Sequence, residues 1–259
     1  MRICLLLLLS LHAAAQNPGD ANSQKARDLV QKAITALGGD AYLNIQDMVQ
    51  EGRSYSFHAG QPTNLGVVFW RMWKFPDKDR VELTKQRDVI YLYSGEQGYE
   101  ITYKGTAMLL PQDLQDYLRR RNFSLEWVLR RWTKEPGVAF FYDGTAVCER
   151  KMCDQVSLMN SQNEQVTLFI DQHSHLPVKK SYSWRDPRDR ERDTEDEIYD
   201  NYKLIQGVMT PQSYTRMYNG ETASQRFITS VTYNTSLPDT LFQASTTYDP
   251  SQIKPLKKK

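Results

Sequence analysis

Cysteine and histidine are scarce, three and four in 259 residues. A closed metal site takes about four ligands and a catalytic one about three, so little material exists for either. The sequence contains no GxGxxG, Walker-type phosphate loop, HExxH or GxSxG, and therefore no signature of a dinucleotide site, a phosphate cradle, a zinc protease or a nucleophile elbow. Gly52-Arg53-Ser54 lacks the flanking glycines of the last. No cofactor is implied. Charge of one sign is also missing. Lys and Arg number 33 against 31 Asp and Glu, and with no basic excess a nucleic-acid partner has no electrostatic footprint.

What is present begins with MRICLLLLLSLHAAAQ. A basic start at Arg2, an apolar run from Ile3 to Leu11 and a small-residue end at Ala13-Ala14-Ala15 read as a secretory signal peptide over 1–15, cut after Ala15. The run is too short to span a bilayer as a mature helix. Cys4 precedes it, whereas a lipid-modified cysteine would follow it. Removing Arg2 leaves 32 bases against 31 acids. The remainder, 16–259, is expected as one exported, soluble domain, periplasmic or secreted, large enough for a well-buried core. Cys148 and Cys153 then face an oxidising compartment and are expected as a local disulfide, with two free thiols as the alternative. A metal reading lacks a second Cys/His pair nearby.

Ala26, Leu29, Val30, Ala33 and Leu37 fall at three- and four-residue steps and predict a helix over 21–37, stopped by Gly38-Gly39. After Tyr42 the period drops to two. Val81 and Leu83, then Tyr99, Ile101 and Tyr103, then Val166, Leu168 and Ile170 alternate with polar residues, as in strands with one buried face. Turn signals at Phe75-Pro76-Asp77, Ser94-Gly95-Glu96, Lys104-Gly105, Asp143-Gly144, Gln206-Gly207 and Asn219-Gly220 are closely spaced, which predicts antiparallel neighbours. One helical insert interrupts the strands. It starts at Pro111, and Ser124 caps a second piece with Leu125, Val128, Leu129 and Trp132 on one side. The segment 185–197 is almost wholly charged and reads as the solvated tip of a long hairpin.

The stretch DQHSHLPV, Asp171 to Val178, places two histidines beside a carboxylate. It connects two strands, and a turn there keeps the imidazoles from aligning as ligands. The aromatic content has a pattern of its own. Phe69, Trp73 and Phe75 alternate along one strand with Arg71 among them, and Val81, Leu83, Tyr91 and Tyr93 extend the stripe over the next strands. Either the helices cover this surface and the rings are ordinary core, or they cover it incompletely and leave an apolar ligand cavity. Arg71 in such a stripe requires a partner, a ligand headgroup or a helix carboxylate.

Several stretches, taken in order, resemble the periplasmic lipoprotein carriers of the LolA/LolB-like superfamily. They are WKFPDKDRVEL from Trp73 to Leu83, YSGEQGYEITYKG from Tyr93 to Gly105, LFIDQHSHLPVKK from Leu168 to Lys180, and the closing YNTSLPDTLFQ from Tyr233 to Gln243. The resemblance covers roughly 22–245. It implies an α+β fold, a half-open and strongly curved antiparallel sheet forming an incomplete barrel of about 10–11 strands, with helices over the concave face. Phe75 stands where the dedicated carriers have an Arg before the Pro, and Arg71 is the nearest inward substitute.

The expected function is a non-enzymatic carrier or sensor of lipid, acyl chains or lipoprotein. Its ligand would lie on Phe69, Arg71, Trp73, Phe75, Val81, Leu83, Tyr91 and Tyr93 under a movable cover of Leu125, Val128, Leu129 and Trp132. The alternative is an envelope interaction module with a filled core, docking a protein partner through its charged hairpin. A hydrolase using surface carboxylates is the remaining rival.

Overall fold

A computed structural model describes residues 18–248 apart from position 188; the signal-peptide reading, with Cys4, lies outside them. The chain opens with helix α1 (Pro18–Leu37) and a single turn α2 (Asp40–Leu43). A first run of strands follows: β1 (Asp47–His58), the short β2 (Gln61–Pro62), β3 (Val67–Lys74), β4 (Lys78–Leu83), β5 (Val89–Ser94), β6 (Gln97–Thr102) and β7 (Gly105–Met108). Helices α3 (Pro111–Asn122) and α4 (Leu125–Arg130) come next. A second run comprises β8 (Ala139–Cys148), β9 (Lys151–Met159), β10 (Gln165–Asp171), β11 (Pro177–Arg185), β12 (Arg192–Ile205), β13 (Val208–Tyr218) and β14 (Glu221–Tyr233), and a 3₁₀ turn at Asp239–Phe242 buries Phe242.

All pairings are antiparallel within one 14-stranded sheet, ordered β7-β6-β5-β4-β3-β1-β14-β13-β12-β11-β10-β9-β8, with β2 appended to β1. Each run is a meander, and the last strand returns to pair with the first, Met48 opposite Tyr233. The edges β7 and β8 stay unpaired with each other, so the barrel is incomplete, and α3 and α4 link those two edges. The sheet has 14 strands where about 10–11 were expected, and β12, β13 and β14, at 14, 11 and 13 residues, are long and mixed in polarity. Their inner and outer faces do not separate cleanly in the sequence.

The predicted stripe of α1 is buried: Ala26, Leu29, Val30, Ala33 and Leu37, joined by Ile34. The helix packs on β8 and β9, and each of its larger apolar side chains contributes about 1.5–3 kcal/mol. Gly38 ends it at φ 129°, where a Cβ would come within 2.4 Å of the Gly207 carbonyl oxygen. The helix stop is thus also a docking point against the β12–β13 turn. Ser124 caps α4 as expected, its Oγ accepting from the Trp127 amide at 3.2 Å.

Asp143-Gly144 is not a turn. It lies inside β8 at a register shift, with Gly144 at φ 105°, because a bulge and a tight turn both favour glycine at positive φ. The turn itself is Glu149-Arg150, both at positive φ. The charged segment is also more than a solvated tip. The connection spans 186–191, while Asp193 and Glu195 on β12 are buried. Among the described residues no helix is long and apolar enough to cross a membrane.

Candidate functional site

The concave face of β3, β4 and β5 carries three rows of side chains. Register sets Phe69 opposite Leu83, Arg71 opposite Val81 and Trp73 opposite Asp79, and continues with Val81 opposite Tyr91 and Asp79 opposite Tyr93. Period-two alternation turns all of these residues to one side. Above them α3 lays Tyr117 flat on Tyr93, with ring centroids 3.4 Å apart and planes 6° from parallel. Between sheet and helices lies a cavity of about 380 Å³, within the usual range of small-molecule sites.

Eight of the twelve expected ligand-binding residues line it: Phe69, Arg71, Trp73, Val81, Leu83, Tyr91, Tyr93 and Leu125. Arg71 finds a sheet carboxylate rather than one from a helix. Its Nε donates to Asp79 Oδ1 at 2.9 Å and a terminal nitrogen donates to Oδ2 at 2.8 Å. Burial alone would lower the guanidinium pKa, but Asp79 more than offsets it and raises it. The inward charge is therefore permanent and already satisfied.

Phe75, Val128, Leu129 and Trp132 do not line the cavity. Phe75 follows the end of β3, and the Arg130 guanidinium stacks 3.8 Å from its ring centroid while donating to the Leu43 and Ile45 carbonyls at 3.0 and 2.7 Å. Val128, Leu129 and Trp132 are buried in the core. Trp132 meets Phe123 edge-on, and Phe123 stacks on Tyr182 of β11 at 4.2 Å. Val128 and Leu129 of α4 are thus core residues rather than part of a movable cover. An amphipathic helix must bury its stripe, but that requirement does not say on which part of a sheet.

The opposite wall was missed in the sequence. Lys180 of β11, Glu195, Glu197 and Tyr199 of β12, Tyr214 and Arg216 of β13, and Arg226 of β14 line the same cavity. Lys180, only 2% exposed, donates to the Phe123 carbonyl at 2.8 Å and pairs with Glu197 at 3.3 Å. Glu197 also accepts from Arg226 and from the Tyr199 hydroxyl, both at 3.0 Å. Burial pushes its carboxyl pKa up, yet Lys180 and Arg226 together bring it down to about 2. Glu195 accepts from the Tyr182 hydroxyl at 2.9 Å and pairs with Arg216 at 3.3 Å. The signal was the alternation Glu195, Glu197, Tyr199 inside what reads as a run of surface charge.

Burial raises the phenol pKa of Tyr42, Tyr117, Tyr199 and Tyr214, and takes those of Tyr91 and Tyr233 to about 12. The cavity phenols are therefore neutral hydroxyls. The chamber has a greasy wall on β3–β5 and a wall of ion pairs and hydroxyls on β11–β14.

The histidine stretch is a turn between β10 and β11. Asp171 Oδ1 accepts from the His173 amide at 2.8 Å, and His175 sits at φ 56°. Among the described residues no cluster of three or more His, Cys, Asp or Glu is placed to hold a metal ion.

The expected disulfide is not formed, and both cysteines are free and buried. Across the β8–β9 hairpin Cys148 opposes Lys151 and Cys153 opposes Ala146, so the thiols are diagonal neighbours. The two side chains are close enough for one thiol to hydrogen-bond the other, yet both stay reduced. Burial raises both thiol pKa values, that of Cys153 to about 12 with Cys148 adding to it. Ellman's reagent should react slowly with the native protein and with both thiols once it is unfolded. Fast native reaction, or no thiol in the unfolded chain, would contradict this placement.

No protein-family profile matches the chain, and no curated protein matches it in sequence. Solved structures do match. A DUF1329 family protein from Desulfovibrio piger superposes with a TM-score of 0.59 at 13% identity, over 86% of this chain and 97% of that one. A LolA superfamily protein from Nitrosomonas europaea gives 0.55 at 13%, over 85% and 97%. An outer membrane lipoprotein-sorting protein domain from Vibrio parahaemolyticus gives 0.52 at 11%, over 85% and 97%. The half-open antiparallel sheet, with helices across its hollow side and a chamber between them, is the LolA-like fold.

Proposed function

We propose that this chain is an exported, non-enzymatic carrier or sensor that holds the acyl chains of a lipid or lipoprotein between its sheet and helices. The observation that carries this reading is the cavity of about 380 Å³, lined on one side by Phe69, Trp73, Val81 and Leu83. A chain entering it gains about 0.8 kcal/mol per buried CH2. The shared fold with a lipoprotein-sorting domain supports the same reading, as does the reading of 1–15 as a signal peptide. The domain is taken as 16–259. The rival interaction module requires a filled core, and the cavity stands against it. Among the described residues, the acids lining the cavity other than Glu126 are held in ion pairs.

Native mass spectrometry after gentle purification should find co-purified lipid, or uptake of fatty acid or phospholipid from vesicles. A clean apo protein that takes up neither would sink the proposal. Val81→Trp should fill the chamber from the greasy wall. Displacing two CH2 groups of ligand costs about 1.6 kcal/mol, so uptake should fall about fifteenfold with little change in thermal midpoint.

A further inference from the structure

Two charges that line the cavity, Arg120 of α3 and Glu126 of α4, make no direct hydrogen bond or ion pair among the described residues, although the Glu126 charge also acts on Arg130 and Arg71. Each other charged lining residue is engaged: Arg71 with Asp79, Lys180 and Arg226 with Glu197, Arg216 with Glu195, and Arg121 with the Gly95 carbonyl. The cavity also holds two orphaned buried polar atoms, the Tyr42 hydroxyl and Gln50 Oε1. Tyr42 is 4% exposed and Gln50 2%.

Such groups cost stability unless something completes them. Their chemistry is complementary to one class of ligand. Gln50 Oε1 and the Glu126 carboxylate only accept hydrogen bonds, and the Tyr42 oxygen can accept one. Glu126 lines the cavity together with Tyr42, Gln50 and Tyr214, and after burial itself its charge is the next cause of the raised phenol pKa of both Tyr42 and Tyr214. Arg120 acts instead on Tyr93 and Tyr182, nearer β5 and β11. An N–H-bearing cation suits the first group, and an oxyanion suits the second. Phenol rings beside the carboxylate favour a cation further.

We propose that the cavity selects amphiphiles with a zwitterionic aminophosphate headgroup, the ammonium donating toward Glu126, Gln50 and Tyr42 and the phosphate meeting Arg120. This rests on the acyl-chain reading above. The acyl part lies against Phe69, Trp73 and Leu83, and the headgroup lies under the corner between α3 and α4.

The test offers the full chain equimolar vesicles of phosphatidylethanolamine, phosphatidylglycerol and phosphatidylcholine and identifies bound lipid by mass spectrometry. Phosphatidylethanolamine should be enriched about tenfold over phosphatidylglycerol, which lacks the ammonium, and several-fold over phosphatidylcholine, whose nitrogen has no N–H. Glu126→Gln should remove most of the first preference, and Arg120→Gln should weaken uptake of all three phosphate-bearing lipids. Equal uptake of the three by the native protein overturns the headgroup proposal, whether or not the variants fold, and leaves the carrier reading standing. No uptake of any lipid overturns the carrier reading itself.

Discussion

Glu197→Gln should lower the unfolding free energy by about 3–5 kcal/mol at neutral pH, the usual cost of removing one partner of a buried charge pair. Lys180 is 2% exposed and, among the described residues, Glu197 is the one carboxylate paired with it, so the variant leaves a buried ammonium without a counter-charge, held only by neutral acceptors such as the Phe123 carbonyl. Acid titration carries the second signature. The folded carboxyl sits at about 2, below its ordinary 4.5. A depressed carboxyl contributes stability that is fully present above the ordinary value and is lost as pH falls through the folded one. The native protein should therefore weaken between about pH 4.5 and 2, by up to about 3 kcal/mol from this group. Glu197→Gln should lack that component. Lys180→Met removes the buried ammonium and leaves Glu197 with Arg226, so it should cost less than Glu197→Gln. Urea unfolding at pH 7 and pH 3 measures all three, and a Glu197→Gln protein as stable as the native one would refute the network.

Leu129→Ala should cost about 3 kcal/mol, within the range for deleting a buried leucine side chain. Leu129 is fully buried within the main hydrophobic core. Leu125→Ala should cost less, about 2 kcal/mol at the low end for a buried leucine, because Leu125 borders the cavity on one side. The two midpoints in urea separate a core role from a cover. If Leu125→Ala proved the more damaging, the cavity-facing side of α4 rather than Leu129 would carry the packing.

Much of this architecture was legible in one dimension. The steps of Ala26, Leu29, Val30, Ala33 and Leu37 predicted the buried face of α1. Alternation at Val81–Leu83 and Val166–Ile170 predicted strands with one wet side, and closely spaced turns predicted antiparallel order. Ser124 was read as a cap and serves as one. The greasy wall was legible too, because rings at every second position share a face whatever lies beyond it. The polar wall was not. Glu195, Glu197 and Tyr199 sit in a run so charged that local patterning points to solvent, and only the curvature of β11–β14 over the helices turns them inward.

Local chemistry determined which residues make helix, strand or turn, and which side of each element avoids water, because propensity and periodicity act over a few neighbours. Tertiary structure alone decided where α4 seats its stripe, which charges meet across β11, β12 and β14, and how much space remains. Those outcomes depend on contacts between residues far apart in the chain, such as Lys180 with Phe123 and Arg226 with Glu197, and a pattern read along one strand carries no information about what will face it.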